Sequence, residues 1–255
     1  MKIAIVTGAS SGMGRELVKQ LSQKERFDQI WTIARRKERL DELKEEIPNV
    51  RPIPLDLTDE SSIKALETLL NEEKPDVSVL ANCSGFGKFG TYEDISLQDS
   101  MDMIDLNCKA LVAVTQIVLP FMRKGAHIMQ LDSLSSFQPV PYLNVYAATK
   151  AFVLSYSRAL NVELKPRGIK VIAVCPGWVS TEFFDHATVT NEKAVTYYNV
   201  VYSAKDVIRT AIKDMYKGKK DVSVHGLQIK GQRLLVKLLP HKLVMHIWMK
   251  QQRHK

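Results

Sequence analysis

Apolar residues along this chain change their spacing in a repeating order, from short continuous runs to longer stretches with an apolar residue every third or fourth position. The run Lys2–Val6 is short and mostly apolar, as a strand covered on both faces would be. Met13, Leu17, Val18 and Leu21 then recur at helical spacing and predict a helix to about Lys24, followed by an apolar strand at Gln29–Ala34. The chain therefore opens strand, helix, strand. Ile53–Leu55 and Val77–Ala81 read as a third and a fourth strand, and Asp221–His225 as the last. This alternation runs end to end without a Pro/Gly/Ser-rich linker, a low-complexity tract or a repeat, which predicts one α/β domain.

The first turn carries candidate chemistry. It reads TGASSGMG from Thr7 to Gly14, with glycines 8, 12 and 14 after a strand and at the opening of a helix. Glycines there let backbone approach a pyrophosphate, and the helix start offers unpaired N–H groups and a favourable dipole. An ordinary glycine-rich connection has the same composition, but the flanking strand and helix favour the nucleotide site. The spacing is G-x-x-x-G-x-G rather than G-x-G-x-x-G. At the end of the second strand stand Arg35 and Arg36, where an acidic residue would bind a ribose 2′-hydroxyl. They also begin the charge-rich stretch RRKERLDELKEE, with pairs such as Lys37 and Asp41. Cations at a helix start oppose its dipole and invite an anion, so a 2′-phosphate, and NADP(H) over NAD(H), is expected.

Composition narrows the classes. With 255 residues and 45% hydrophobic content the chain has enough for one large core. The formal charge of +8 suggests nucleic acid, but residues 222–255 hold seven Lys/Arg and no Asp/Glu, and the rest carries 29 cations against 28 acids. A nearly neutral body with one basic tail, poor in stacking aromatics, argues against a nucleic-acid partner. Cys83, Cys108 and Cys175 have no metal-site spacing and are expected to be reduced core residues. The start lacks the apolar length of a secretory signal, and the apolar run from Ala110 to Met122 is interrupted by Thr115, Gln116 and Pro120. A cytoplasmic protein is the expectation.

Further along, Asp56-Leu57-Thr58 closes the third strand, where an aspartate suits an adenine amine or a helix cap, and Asn82-Cys83-Ser84-Gly85 follows the fourth. Tyr146 and Lys150 lie four apart in YAATK. A tyrosine near pKa 10 needs tuning to move protons both ways, and a cation one turn along its helix favours the ionised form.

In this order the motifs make the chain resemble the short-chain dehydrogenase/reductase family over nearly its whole length. TGASSGMG, with Gly8, Ser10, Ser11, Gly12, Met13 and Gly14, resembles the family's TGxxxGxG cofactor turn. Asp56 matches its adenine-contacting aspartate, NCSG at 82–85 stands where NNAG is usual, Asn107 matches the helix asparagine, and Tyr146 and Lys150 match YxxxK. Pro176-Gly177-Trp178-Val179-Ser180-Thr181 matches PGxxxT. Family spacing puts the catalytic serine at Ser133, ahead of its neighbours Ser135 and Ser136.

The resemblance implies a single Rossmann-type α/β domain, a doubly wound and mostly parallel seven-stranded sheet flanked by helices. It implies a catalytic set of Asn107, Ser133, Tyr146 and Lys150, in which Asn107 holds a relay water. Around the cofactor it implies the first-turn residues with Arg35, Arg36, Asp56, Leu57, Asn82, Ser84, Gly85, Tyr146, Lys150, Pro176, Gly177, Val179 and Thr181. No metal is implied, and a homodimer or homotetramer is expected.

Apolar and aromatic residues at Phe137–Leu143, and Phe183, Phe184, Tyr197, Tyr198 and Tyr202 in the covering loop (about 178–205), point to a hydrophobic carbonyl or secondary alcohol, such as a steroid or acyl chain. The catalytic domain is expected at 1–225 and a basic amphipathic helical extension at 226–255. There Leu234, Leu235, Leu238 and Leu239 form one stripe, and Leu243, Val244, Ile247 and Trp248 repeat it after Pro240. That extension suits docking on protein, an anionic membrane surface or an acidic partner. A non-catalytic dinucleotide-binding regulator is the second class. It has no need of the serine, tyrosine, lysine and asparagine together.

Overall fold

The computed structural model describes residues 1–187 and 194–252; Arg253 and Lys255 of the tail, and residues 188–193 of the covering loop, lie outside the described residues. In chain order, β1 (Lys2–Thr7), α1 (Gly12–Lys24), β2 (Gln29–Ala34), α2 (Lys37–Glu46), β3 (Val50–Pro54), α3 (Glu60–Glu73) and β4 (Asp76–Asn82) form the first half. Then follow α4 (Leu97–Ile104), a π-helical turn Asp105–Ala110, α5 (Leu111–Val118), β5 (His127–Leu131), α6 (Asn144–Glu163) and β6 (Lys170–Val174). The last part holds β7 (Trp178–Ser180), α7 (Phe183–Ala187), β8 (Val201–Ser203), α8 (Ala204–Lys217), β9 (Val222–Ser223), α9 (Leu227–Leu238) and α10 (His241–Gln252).

The seven-stranded sheet has the order β3-β2-β1-β4-β5-β6-β9, and every pairing in it is parallel. The expectation of a mostly parallel sheet is thus met by a wholly parallel one. β3 begins at Val50, three residues before Ile53, because Val50 and Arg51 already pair with β2. The last strand is shorter than expected, since only Val222 and Ser223 pair with β6. A separate parallel pair, β7 with β8, was not foreseen; it holds Trp178–Ser180 against Val201–Ser203 beside the site.

β1 explains the layering. Ala4 and Val6 face one buried cluster with Leu17, Val18 and Ile208, whereas Ile3 and Ile5 face another with Leu66, Val114 and Leu160. Alternate residues thus bury against helices on both sides, and the strand reads as a continuous apolar run. Chain order reverses between β1 and β4, and there the carboxyl ends of the strands open the crevice that holds ligands in such sheets.

The helical run Leu97–Phe121 has 25 residues and is apolar enough to cross a bilayer by length and hydropathy alone, more than the 110–122 run suggested. It is instead docked under the sheet through Val114 and Val118. Cys83, Cys108 and Cys175 are free and buried.

Candidate active site

At the cofactor end the cradle is made of backbone. Gly8 and Gly12 take positive φ angles of 66° and 52°. A Cβ on Gly14 would stand 2.3 Å from the Gly8 carbonyl oxygen, so α1 starts against its own turn only because Gly14 lacks one. The Thr7 hydroxyl accepts from the N–H groups of Cys83 and Ser84, each at 3.1 Å, and ties β1 to the loop after β4. Ser11 occupies the N-cap position of α1 without a side-chain cap bond, which leaves the helix start open.

Arg36 reaches Ser10 Oγ through Nε (3.3 Å) and Nη2 (3.1 Å), and pairs with Glu182 through Nη1 at 2.9 Å. Arg35 is largely exposed, 3.8 Å from Asp56. A guanidinium beside a hydroxyl at this strand end fits a 2′-phosphate; Glu182 is the anion that Arg36 holds here, and that bond keeps the Glu182 carboxyl below its ordinary range. Asp56 Oδ1 accepts from Thr58 N (3.0 Å) and Thr58 Oγ1 (2.7 Å), so it shapes its own turn, and Asp59 caps α3. Leu57 is buried behind it.

Asn82 is turned into the sheet. Its amide donates to Thr115 Oγ1 (3.0 Å) and Gln130 Oε1 (2.9 Å), within a buried network across β4, β5 and α5. The side chain braces the sheet behind the cradle, and its Oδ1 has no partner. Ser84 and Gly85 follow it at the crevice. A Cβ on Gly85 would meet Asn107 Oδ1 at 2.9 Å and Lys150 Nζ at 3.6 Å, which places those groups side by side.

Asn107 sits in the π-helical turn, where the extra residue per turn aims it at the loop after β4. Its amide donates to Phe86 O (2.9 Å) and Thr149 Oγ1 (3.0 Å), and its Oδ1 accepts from Phe86 N (3.0 Å). It clamps that loop to α6. Of its side-chain atoms, Oδ1 retains capacity toward a relay water.

Ser133, Tyr146 and Lys150 line one cavity of about 520 Å³, with Met13, Gly85, Pro176, Gly177, Val179 and Thr181 at its cofactor side. Ser133 follows β5 and caps the next turn, Ser135 N donating to Ser133 Oγ at 3.2 Å. Tyr146 and Lys150 share the inner face of α6, both buried. Burial pushes the Tyr146 hydroxyl well above its ordinary value, Ser133 draws it down, and the Asp132 charge pushes it further up. Lys150 was expected to lower it. Its Nζ instead donates to Leu131 O at 2.7 Å and stands 5.8 Å from the Tyr146 ring centre, and burial lowers its own pKa.

Sequence reasoning missed Asp132. It is 2% exposed, lies between Leu131 and Ser133 and lines the cavity. Cys175 Sγ lies 3.3 Å from its Oδ2, Oδ1 has no partner, and burial pushes it up to about 7 against the pull of Lys150. The clue was an acid at the end of an apolar strand, MQLDS, which a buried strand end rarely carries.

The substrate side is aromatic. Tyr146 and Phe183 rings lie 5.5 Å apart, and Phe89, Trp178, Phe184 and Tyr198 continue the cluster. Tyr197 lines the cavity, while Tyr202 packs on His225. The remaining wall comes from α9 and α10. Trp248 Nε1 donates to Pro141 O (3.0 Å), and Gln252 Oε1 accepts from Thr196 N (2.9 Å) and Tyr197 N (3.1 Å). Ile229 fills the space beside Gly177, where a Cβ would come within 2.6 Å of it. Docking therefore uses Ile229, Val236, Val244 and Trp248. Of the expected stripe, Leu234 and Leu238 face outward, whereas Leu235 and Leu239 line the cavity, because α9 turns the face with Ile229 and Val236 to the domain.

The chain matches the short chain dehydrogenase family over residues 2–192. Sulfoacetaldehyde reductase 2 of Chromohalobacter salexigens is 36% identical over 191 residues, 71% of this chain and 74% of that protein. The NADP-dependent 3-hydroxy acid dehydrogenase YdfG of Escherichia coli is 31% identical over 217 residues, 82% of this chain and 87% of its own. Among solved structures, a short-chain dehydrogenase from Sphingobium yanoikuyae in complex with NADPH superposes with a TM-score of 0.78 at 26% identity, covering 96% of this chain and 95% of that one. A backbone cradle at the switch point of a parallel sheet, the cavity beside it and these likenesses make one conclusion: the chain belongs to the short-chain dehydrogenase/reductase family, oxidoreductases acting on CH–OH and C=O groups.

Proposed function

We propose that this protein is an NADP(H)-dependent reductase of an uncharged, largely apolar ketone or aldehyde, or a dehydrogenase of the matching alcohol. The observation that carries the substrate class is the cavity lining. Val140, Leu143, Trp178, Phe183, Phe184 and Val236 surround it, and among the described residues Lys150 is the only Lys or Arg that lines it. A carboxylate or sulfonate substrate needs a cation in its pocket. Lys150 is already bonded to Leu131 O with the Asp132 carboxyl beside it, so it is not a free cation for such a substrate. Ser135 and Gln138 belong to the same lining, but Ser135 Oγ and Gln138 Oε1 are buried, which leaves the accessible wall largely apolar.

The cofactor is NADP(H), supported by Arg36 and Ser10 at the end of β2 and by the NADP-dependent relatives. When bound it supplies or accepts the hydride. The protein supplies position and a proton. Burial keeps the Tyr146 hydroxyl protonated at neutral pH, ready to donate to the carbonyl oxygen, while Ser133 holds that oxygen by its hydroxyl. Lys150 is anchored at Leu131 O and keeps two ammonium hydrogens for the ribose and the proton path, beside Asn107. The reverse reaction needs ionised Tyr146, so alcohol oxidation rises toward alkaline pH and carbonyl reduction does not.

Tyr146→Phe tests this. Turnover of an apolar ketone falls by roughly 100-fold or more, the scale of a lost general acid, while NADPH still binds by fluorescence titration. Full activity would assign the proton to another group. A panel of neutral and carboxylated ketones, followed at the nicotinamide absorbance, tests the substrate class; a higher kcat/KM for the carboxylated members overturns it.

A further inference from the structure

The outer faces of α9 and α10 are left unexplained by the active site. α9 buries Ile229 and Val236, and on the opposite side exposes Leu227 (86%), Leu234 (59%) and Leu238 (72%). These recur at i, i+7 and i+11, so they form a single outward stripe. α10 exposes Leu243 and Ile247 in the same way. Leu235 and Ile247 are exposed and also line the cavity, so the apolar surface borders its mouth.

The charges around this surface have one sign. Lys230, Lys237, Lys242 and Lys250 are exposed beside it, with His241 and His246, and residues 222–255 contain no Asp or Glu. Among the described residues none of these lysines makes an ion pair, whereas in the body Arg15, Lys19, Arg36 and Arg51 all do.

We propose that this face docks on an anionic lipid bilayer and seats the cavity mouth against the interface. The leucines enter the headgroup boundary, and the lysines stay level with the lipid phosphates on their flexible stems. A second copy fits less well, because two-fold pairing would oppose unpaired cations without a carboxylate from either tail. Another surface suits a second copy better, with Leu97, Met101 and Ile104 of α4 and Phe152 of α6 exposed. Passage of substrate from the bilayer rests on the apolar-pocket reading; lipid binding does not, and it is measured without turnover.

The test is co-sedimentation of the full chain with vesicles of phosphatidylcholine alone or mixed with phosphatidylglycerol, at low and high salt. Binding is expected with the anionic vesicles, falling roughly tenfold or more on neutral vesicles or at high salt. Leu234→Glu/Leu238→Glu abolishes it and leaves turnover of a water-soluble ketone unchanged, since neither residue lines the cavity. Lys230→Gln/Lys242→Gln, which alters no apolar contact, weakens it several-fold. Failure to bind anionic vesicles, equal binding to neutral ones, or full binding by both variants overturns the proposal. Loss of a dimer in the leucine variant without any vesicle effect assigns the face to a second copy and overturns it as well.

Discussion

The two ends of the cavity are built from different material. At the cofactor end the shape is set by main chain: Gly8, Gly12 and Gly14 in one short turn, pinned by the Thr7 hydroxyl. At the substrate end it is set by side chains from segments far apart in sequence, with Phe89, Tyr146, Trp178 and Phe183 met by Trp248 from α10. A backbone site serves a ligand that does not vary. A wall of side chains gathered from many elements can be remodelled without disturbing it.

This division predicts that damage at one end leaves the other intact. The largest effect belongs to Gly14→Ala, whose new methyl meets backbone that cannot swing aside; NADPH affinity should fall by about 100-fold or more in a fluorescence titration. Arg36→Ala removes a charge-assisted contact of about 1.5–3 kcal/mol, so kcat/KM with NADPH should drop by about 10- to 100-fold while that with NADH changes little. An equal fall with both cofactors would remove the 2′-phosphate role. Trp248→Ala should raise KM for an apolar ketone by about tenfold and leave the dissociation constant of NADPH unchanged; weaker NADPH binding would mean the two ends are not separable.

The smallest effect lies at the floor between them. Asp132 is raised to about 7 from an unfolded value near ~3.9, so the folded chain binds the extra proton between those values and loses stability as pH rises through them. The ceiling on that loss is about 4 kcal/mol, with the pull of Lys150 toward the charged carboxylate already included. Asp132→Asn should therefore raise Tm more at pH 8 than at pH 4, measured by thermal melts at both. A gain of the same size at both values would place the carboxylate's pKa near its ordinary range.

The same division decides what could be read from the sequence. The turn after β1 and the helix carrying Tyr146 and Lys150 follow from local spacing, which is what a sequence displays, while Ser133 after β5 came from the family resemblance. The direction of the Lys150 ammonium toward Leu131 O, and of the Asn82 amide toward Thr115 and Gln130, depends on strands brought together by the fold. The tail misled for a related reason. Leu234, Leu235, Leu238 and Leu239 make the stronger apolar pattern, but only Leu235 and Leu239 of it reach the cavity, and the space beside Gly177 is filled by Ile229.

The clasp between Gln252 and the backbone of Thr196 and Tyr197 also orders events during biosynthesis. A ribosome delivers α10 some two hundred residues after the nucleotide turn, which at about 5–20 residues per second is a delay of roughly ten seconds or more. A nascent chain can shape its β1–α1–β2 unit during that interval, but the wall over Tyr146 is absent until α10 has emerged. The protein therefore completes its substrate chamber well after its cofactor cradle.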